Sequence, residues 1–473
     1  MARLRFLVPL VVLAGSVQAQ DDLAGRARAA LEARVAAGTT VGAVAGIVHP
    51  DGRLEVVAAG RSGNAARPQL DALTLFEIGS ITKTFTATLL AQRVERGDLR
   101  LATTVREAAP DLRDWKRPGV GDVTLGQLAT HTAGLPRLPI DAWFLLGRVT
   151  TRDGPYGHYT ADDLLDHAAR AESPGPGPHA FAYSNYGMGL LGEILARREG
   201  TTFAALARRD ILAPLGMTRS GVDTAPGDEP LLAHGHDGSL FRTGYWKLPG
   251  LGGAGALRSN VEEMAAYLRA HRDGRIAGAR LTHELRAKAG GTSGVGLAWI
   301  VKPSATGRIL WHNGGTGGFR SFAGFHEGSR VGVIVLSNSS VGVDEIGMHL
   351  LDPSQPLAPP AAPPAWLLAI VAGVALALPW MAWRAKLDAR PDALWSALEI
   401  ATTALLVHVA APWGPAGPWA WRALVALTVA SLALVAWRAR SLPARTPDRP
   451  ASARRAIGRA STAALFGLGL LLL

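Results

Sequence analysis

An α+β fold is predicted for the first three quarters of this 473-residue chain, followed by a C-terminal helical module. Three observations carry it: strand-like apolar runs open and close the larger part, helical patterns lie between them, and the last quarter turns into long apolar stretches. Strands at both ends with helices between imply a mainly antiparallel sheet completed by distant segments, flanked by helices, plus a helical subdomain.

Residues 1–19 place Arg3 and Arg5 ahead of an apolar run, Phe6 to Ala14, and close on small residues at Val17 and Ala19. That pattern reads as a secretory signal peptide cut after Ala19. The run is shorter than the roughly 20 residues a membrane span needs. A domain over residues 20–352 follows. It opens with Val41 to Val48 and Arg53 to Ala58, apolar runs separated by Pro50-Asp51-Gly52, which predict a β-hairpin.

Helices come next. Ser80 to Arg96 carries Ile81, Phe85 and Leu89 four apart and stops at Gly97. Thr124 to His131 starts with Thr124 and Gln127 in capping-box spacing, and Asn185 to Arg198 ends at Gly200. The loop Ser173 to Pro178 alternates Pro and Gly and excludes regular structure. Strands return at Val295 to Val301, Arg308 to His312, Ser321 to Phe325 and Val331 to Asn338.

A Pro-rich linker, 353–364, leads into a module over 365–473 with four apolar stretches: Ala365 to Trp383, Ala393 to Trp413, Trp419 to Trp437 and Ala456 to Leu473. Each is near spanning length, so about four transmembrane helices are expected. Basic residues cluster after the first and third stretches, which places those loops in the cytoplasm and the large domain outside. The expected location is therefore the cytoplasmic membrane, multi-pass, with an exported domain.

Charge and cysteine content exclude several classes. Of the net +11, +7 falls from Trp366 onward and +2 on Arg3 and Arg5, leaving only +2 for the globular part. No nucleic-acid partner is expected. Cysteine is absent, which removes disulfides, thiolate metal sites and a cysteine nucleophile. His234, His236 and Asp237 sit beside glycines and read as a surface turn rather than a metal site, so no metal is expected.

Three constellations carry chemistry. Ser80 and Lys83 lie three apart at the start of a helix, so hydroxyl and amine share one face and the helix N-terminus favours negative charge on Ser80. Lys83 accepts a proton near neutrality only if its pKa falls by about 3 units, which burial can supply. The spacing alone arises about once by chance in a chain of this length. Tyr183-Ser184-Asn185 offers a phenol to shuttle a proton and an amide to hold a substrate carbonyl, though taken alone it reads more readily as a core aromatic beside a helix cap. His312-Asn313-Gly314-Gly315 ends a strand where glycines admit a substrate backbone, and reads equally as a flexible turn.

Taken together and in this order, the three resemble the serine β-lactamases, DD-peptidases and related esterases, closest to the class C branch. The stretches FEIGSITKTFTA, VTLGQLATHTAGLP, YSNYGMGLLGEIL, PLGMTRSG and HNGGTGGF extend the likeness from about Val41 to Asn338. The resemblance implies acyl transfer through a Ser80 ester followed by hydrolysis. Lys83 and Tyr183 would act as base and acid, and Asn185 with His312, Asn313 and Gly314 would line the substrate site. The Ser80 and Gly315 amides would form the oxyanion hole. No cofactor is implied.

The family usually carries Lys-Thr-Gly where this chain has His312-Asn313-Gly314. A mostly neutral histidine holds a carboxylate less firmly than lysine, so the expectation shifts from β-lactam hydrolysis toward an esterase or a D-amino-acid peptidase acting on a small or peptide-like substrate. The alternative is a non-catalytic cell-envelope protein using the same pocket to bind peptidoglycan fragments or a membrane partner.

Overall fold

The computed structural model describes residues 23–140, 154–359 and 365–442, apart from 173, 176, 239, 386, 388, 389, 411 and 412. It divides into two compact units. One holds the chain to Asp237 and again from Arg242 to Pro360; the other holds Gly238–Phe241 and everything from Ala361. The leader at 1–19 and the fourth apolar stretch lie outside the described residues.

The first unit is built on one eight-stranded antiparallel sheet. Its strands are β1 (Gly42–Val48), β2 (Leu54–Gly60), β5 (Ala287–Gly290), β6 (Ser293–Val295), β7 (Ile300–Ser304), β8 (Gly307–Gly315), β9 (Arg320–His326) and β10 (Gly332–Ser337). The order is β2-β1-β10-β9-β8-β7-β6-β5, so the N-terminal hairpin is completed by the last strand of the domain, with Val44 opposite Leu336. A two-residue pair, β3 (Phe76–Glu77) with β4 (Arg258–Ser259), stands apart.

Strand β1 is buried along its whole length because both sheet faces are covered. Its period of two sends Ala43, Ala45 and Ile47 into a small cluster with Leu23, Leu31 and Val333, and sends Val44 and Val48 into the main core with Phe85, Met264 and Leu268. The first cluster includes a helix that the sequence reading lacks, Leu23–Ala36. It was hidden because its buried face, Leu23, Ala27, Ala30, Leu31 and Arg34, offers only two leucines and includes an arginine. The single strand expected over Val295 to Val301 is in fact two. A turn with Ala298 at φ 61° separates β6 from β7, and its amides are satisfied elsewhere, Leu297 N–H on Thr282 O (2.9 Å) and Ala298 N–H on Ala129 O (2.8 Å).

The Thr82–Glu95 helix runs through the core. Its polar side chains are satisfied internally: Thr86 Oγ1 donates to Gly253 O (2.7 Å), Thr88 Oγ1 to Thr84 O (2.8 Å), and Thr82 Oγ1 accepts from Leu257 N–H (3.1 Å). Thr124 and Gln127 form the expected reciprocal cap of the helix Leu125–Ala129, and Asn185–Arg198 forms as expected with Ser184 as its N-cap.

The second unit contains helices Ala365–Arg384, Arg390–Ala410 and Trp413–Ala439, packed through Leu378, Ala382, Ile400, Leu424 and Val435. The expectation of a multi-pass membrane module, and the cytoplasmic-membrane location built on it, is overturned here. Among the described residues no helix is long and apolar enough to cross a membrane. Alanine fills many of the apolar positions, and a single methyl contributes little transfer energy. Pro379 lies inside the first helix, and Arg390, Asp392 and Glu399 fall within the second. Arg438, read from sequence as a cytoplasmic-loop charge, instead donates to the carbonyls of Ala382 (2.6 Å), Trp383 (2.7 Å) and Ala385 (2.8 Å), capping the end of the first helix.

Candidate active site

Ser80 sits in a short turn, Gly79–Ile81, that feeds the buried helix, so its backbone is held between the core and the end of β8. The approach is close. Gly79 lies at φ +51°, and a Cβ there would stand 2.6 Å from Gly315 N; a Cβ on Gly314 would stand 2.0 Å from Ile78 O. Two glycine-bearing segments meet where neither tolerates a side chain, which brings the backbone at Ser80 beside Gly315 as an oxyanion hole requires. Gly79→Ala is therefore expected to lower kcat/KM by about 10²-fold or more through loss of that alignment. Steady-state kinetics on the purified variant checks it, and activity within threefold of wild type would contradict it.

Lys83 is fully buried one turn below. Its Nζ lies 2.9 Å from Ser80 Oγ and donates to Ala254 O at 2.6 Å. Burial, aided by the positive charge of Arg137, holds its pKa well below the ordinary lysine value. The amine thus has both the position and the basicity to take the Ser80 proton.

Tyr183 reaches the same place from the other side. Lys83 Nζ is 4.8 Å from its ring centroid. Burial pushes its phenol up to about 12, against the Ser80 hydroxyl and Arg137, so it stays a proton donor at neutral pH. His131, the last residue of the expected Thr124 helix, packs against Tyr183. It sits at φ 58° with its ring 4.8 Å from the Tyr183 ring, and its Nδ1 accepts from Ser184 N–H (3.2 Å). The Ser184 hydroxyl donates to Pro136 O (2.7 Å), while Asn185 N–H and Tyr186 N–H donate to Arg137 O (2.9 and 3.2 Å). The segment His131 to Arg137 is the seat of the second constellation.

Asn185 lines a narrow cavity of about 30 Å³ with Ser80 and Gly315, walled by Tyr156, Trp246 and Leu251. Its Oδ1 is buried without a hydrogen-bond partner among the described residues, as expected of an acceptor awaiting a ligand N–H. His312 is buried at 2 % exposure, 6.3 Å from Tyr183 ring to ring, and burial together with Lys83 pushes its pKa down to about 3. Its Nδ1–H donates to Asn313 O, which leaves Nε2 as an unpartnered acceptor. Asn313 faces away along the alternating strand and donates to Asp344 Oδ2 (2.6 Å), so its side chain is not brought to Ser80.

Among the described residues no group of three or more His, Asp or Glu side chains is placed to hold a metal. His236 Nδ1 lies 3.1 Å from Asn338 O and His234 Nε2 3.1 Å from Arg242. A larger concavity of about 850 Å³, lined by Arg269, Arg272 and Arg280, contains none of the site residues.

A buried amine on a serine at a helix start, within this sheet-and-helix frame, defines a serine hydrolase. The chain belongs to the Beta-lactamase family, whose model matches residues 27–352. A D-alanyl-D-alanine-carboxypeptidase/endopeptidase AmpH of Escherichia coli strain K12 is 26% identical over 339 residues, 64% of this chain and 82% of the relative. A class C β-lactamase structure from Rhodobacter sphaeroides is 25% identical at TM-score 0.58, covering 67% of this chain and 95% of that one. A β-lactamase/D-alanine carboxypeptidase from Pseudomonas syringae shares the fold at TM-score 0.61 and 20% identity, covering 72% and 100%.

Proposed function

We propose that this chain hydrolyses an ester or amide of a small or peptide-like substrate through an acyl-enzyme on Ser80. The observation that carries the reading is the 2.9 Å approach of a fully buried Lys83 amine to Ser80 Oγ. Lys83 takes the Ser80 proton as the oxygen attacks the scissile carbonyl, and the Ser80 and Gly315 amides receive the developing oxyanion. Tyr183, protonated at neutral pH, passes a proton to the leaving group, and Asn185 Oδ1 accepts from the substrate. Water then attacks the ester, with Lys83 and Tyr183 reversing roles.

A neutral His312 offers no charge to a substrate carboxylate at the strand end, which weighs against penicillins held there by that group. Intact mass of the full chain after incubation with a fluorophosphonate, and separately with a penicillin, tests the reading. Wild type is expected to gain the fluorophosphonate adduct and Ser80→Ala to gain none. A folded wild type that acquires no adduct from either reagent would sink it in favour of a binding protein.

A further inference from the structure

Among the described residues Lys83, Arg137 and Arg320 lie near the Tyr183 phenol or the end of β8, and two of them are already committed. Lys83 is buried on Ser80 and Ala254. Arg320 donates through Nη1 to Thr316 O (2.7 Å) and Phe319 O (2.9 Å), with Asp344 acting on its charge. Arg137 differs. Its guanidinium carbon lies 5.1 Å from the Tyr183 ring centroid, the residue is exposed, and no ion pair holds it among the described residues. Its main chain is nonetheless pinned, because Arg137 O accepts from both Asn185 and Tyr186. The result is a cation without an ion-pair partner among the described residues, on a fixed main chain and over the Tyr183 ring.

A guanidinium held over an aromatic face by its charge keeps N–H donors free to take a carboxylate. We propose that Arg137 forms an anion subsite at the mouth of the active site, selecting substrates that carry a carboxylate near the scissile bond. This deepens the hydrolase reading and rests on it. The charge does a second thing at the same site: it disfavours protonated Lys83, so the residue that collects the substrate also helps keep the base free.

Two carboxylates could be the one recognised, on the acyl side or on the leaving group, and two substrate pairs separate them. One pair is a nitrophenyl ester of glutarate against its methyl-ester derivative. The other is an acyl-D-alanyl-D-alanine against its C-terminal amide. In wild type the carboxylate member of at least one pair is expected to be preferred in kcat/KM. Arg137→Gln should cut that preference about ten- to hundred-fold through KM, and Arg137→Lys should restore part of it. Raising salt should weaken the preference in wild type and leave Arg137→Gln unaffected. Equal losses on both members of each pair, or an unchanged preference, would assign Arg137 to structure alone and overturn the subsite. Turnover of none of the four substrates by folded wild type would overturn the hydrolase reading along with it, whereas turnover without discrimination overturns only this inference.

Discussion

Lys83→Met is expected to lower the rate of Ser80 acylation by about 10³- to 10⁴-fold, the upper range for removing a positioned general base. Methionine fills the space and removes only the amine, so the loss measures proton transfer rather than packing. In wild type, kcat/KM should rise with pH as Lys83 sheds its proton and then hold level through pH 10, because the Tyr183 phenol titrates only at about 12. The variant should show no such rise. A descending limb between pH 8 and 10 in wild type would contradict this assignment of base and acid.

The same change alters stability in a way that can be checked separately. Folding lowers the proton affinity of Lys83, so the unfolded chain binds more protons, and stability rises with pH up to the ordinary lysine value near 10.5. Met removes that slope. It also costs the Ala254 carbonyl its partner at every pH. Thermal melts of the two proteins should therefore favour the variant most at low pH, with wild type gaining on it as pH approaches 10.5. A difference that does not move with pH would mean that Lys83 is not desolvated in the folded state.

Much of the candidate site's geometry was legible in the sequence, because three short motifs specify backbone geometry as well as side chains. The Ser80 to Lys83 spacing puts both groups on one helical face, and the glycines at 314 and 315 mark where a strand end approaches another backbone. What the motifs could not show was the direction of side chains outside the spacing argument. Asn313 belongs to the third constellation by position, yet strand alternation turns it to Asp344. His131 reads as a helix end, and only the fold lays it under Tyr183. Arg137 lies 46 positions before Tyr183 and had no local signal, since its pairing with that ring is tertiary. The C-terminal quarter misleads for a different reason: many of its apolar positions are alanine, which contributes little each, and a proline and two carboxylates fall within its helices.

Arg93→Met is expected to destabilise the folded domain by about 3 kcal/mol, at the low end for breaking a buried ion pair. Arg93 is the last buried residue of the Thr82–Glu95 helix, with its side chain 2% exposed. It donates to Glu199 Oε1 through Nε (2.8 Å) and Nη2 (2.5 Å), to Asp210 Oδ2 through Nη2, and back to Leu89 O (3.2 Å). Removing it leaves two carboxylates facing each other. The cost stays at the low end because both keep Arg209 and retain side-chain exposures of 26 and 13%. Arg93 and Arg209 hold both carboxyls below their ordinary values, so the stability they contribute is present at neutral pH and is lost as pH falls through the carboxylate range. The gap between wild type and variant should accordingly close on acidification. Arg93→Met combined with Glu199→Gln and Asp210→Asn should recover most of the loss, since neutral amides need no cation. Urea melts at neutral and acidic pH read all of this. A loss under about 1 kcal/mol at pH 7 would show the cluster to behave as a solvated surface pair, and the helix bearing Lys83 would then be held by its packing alone.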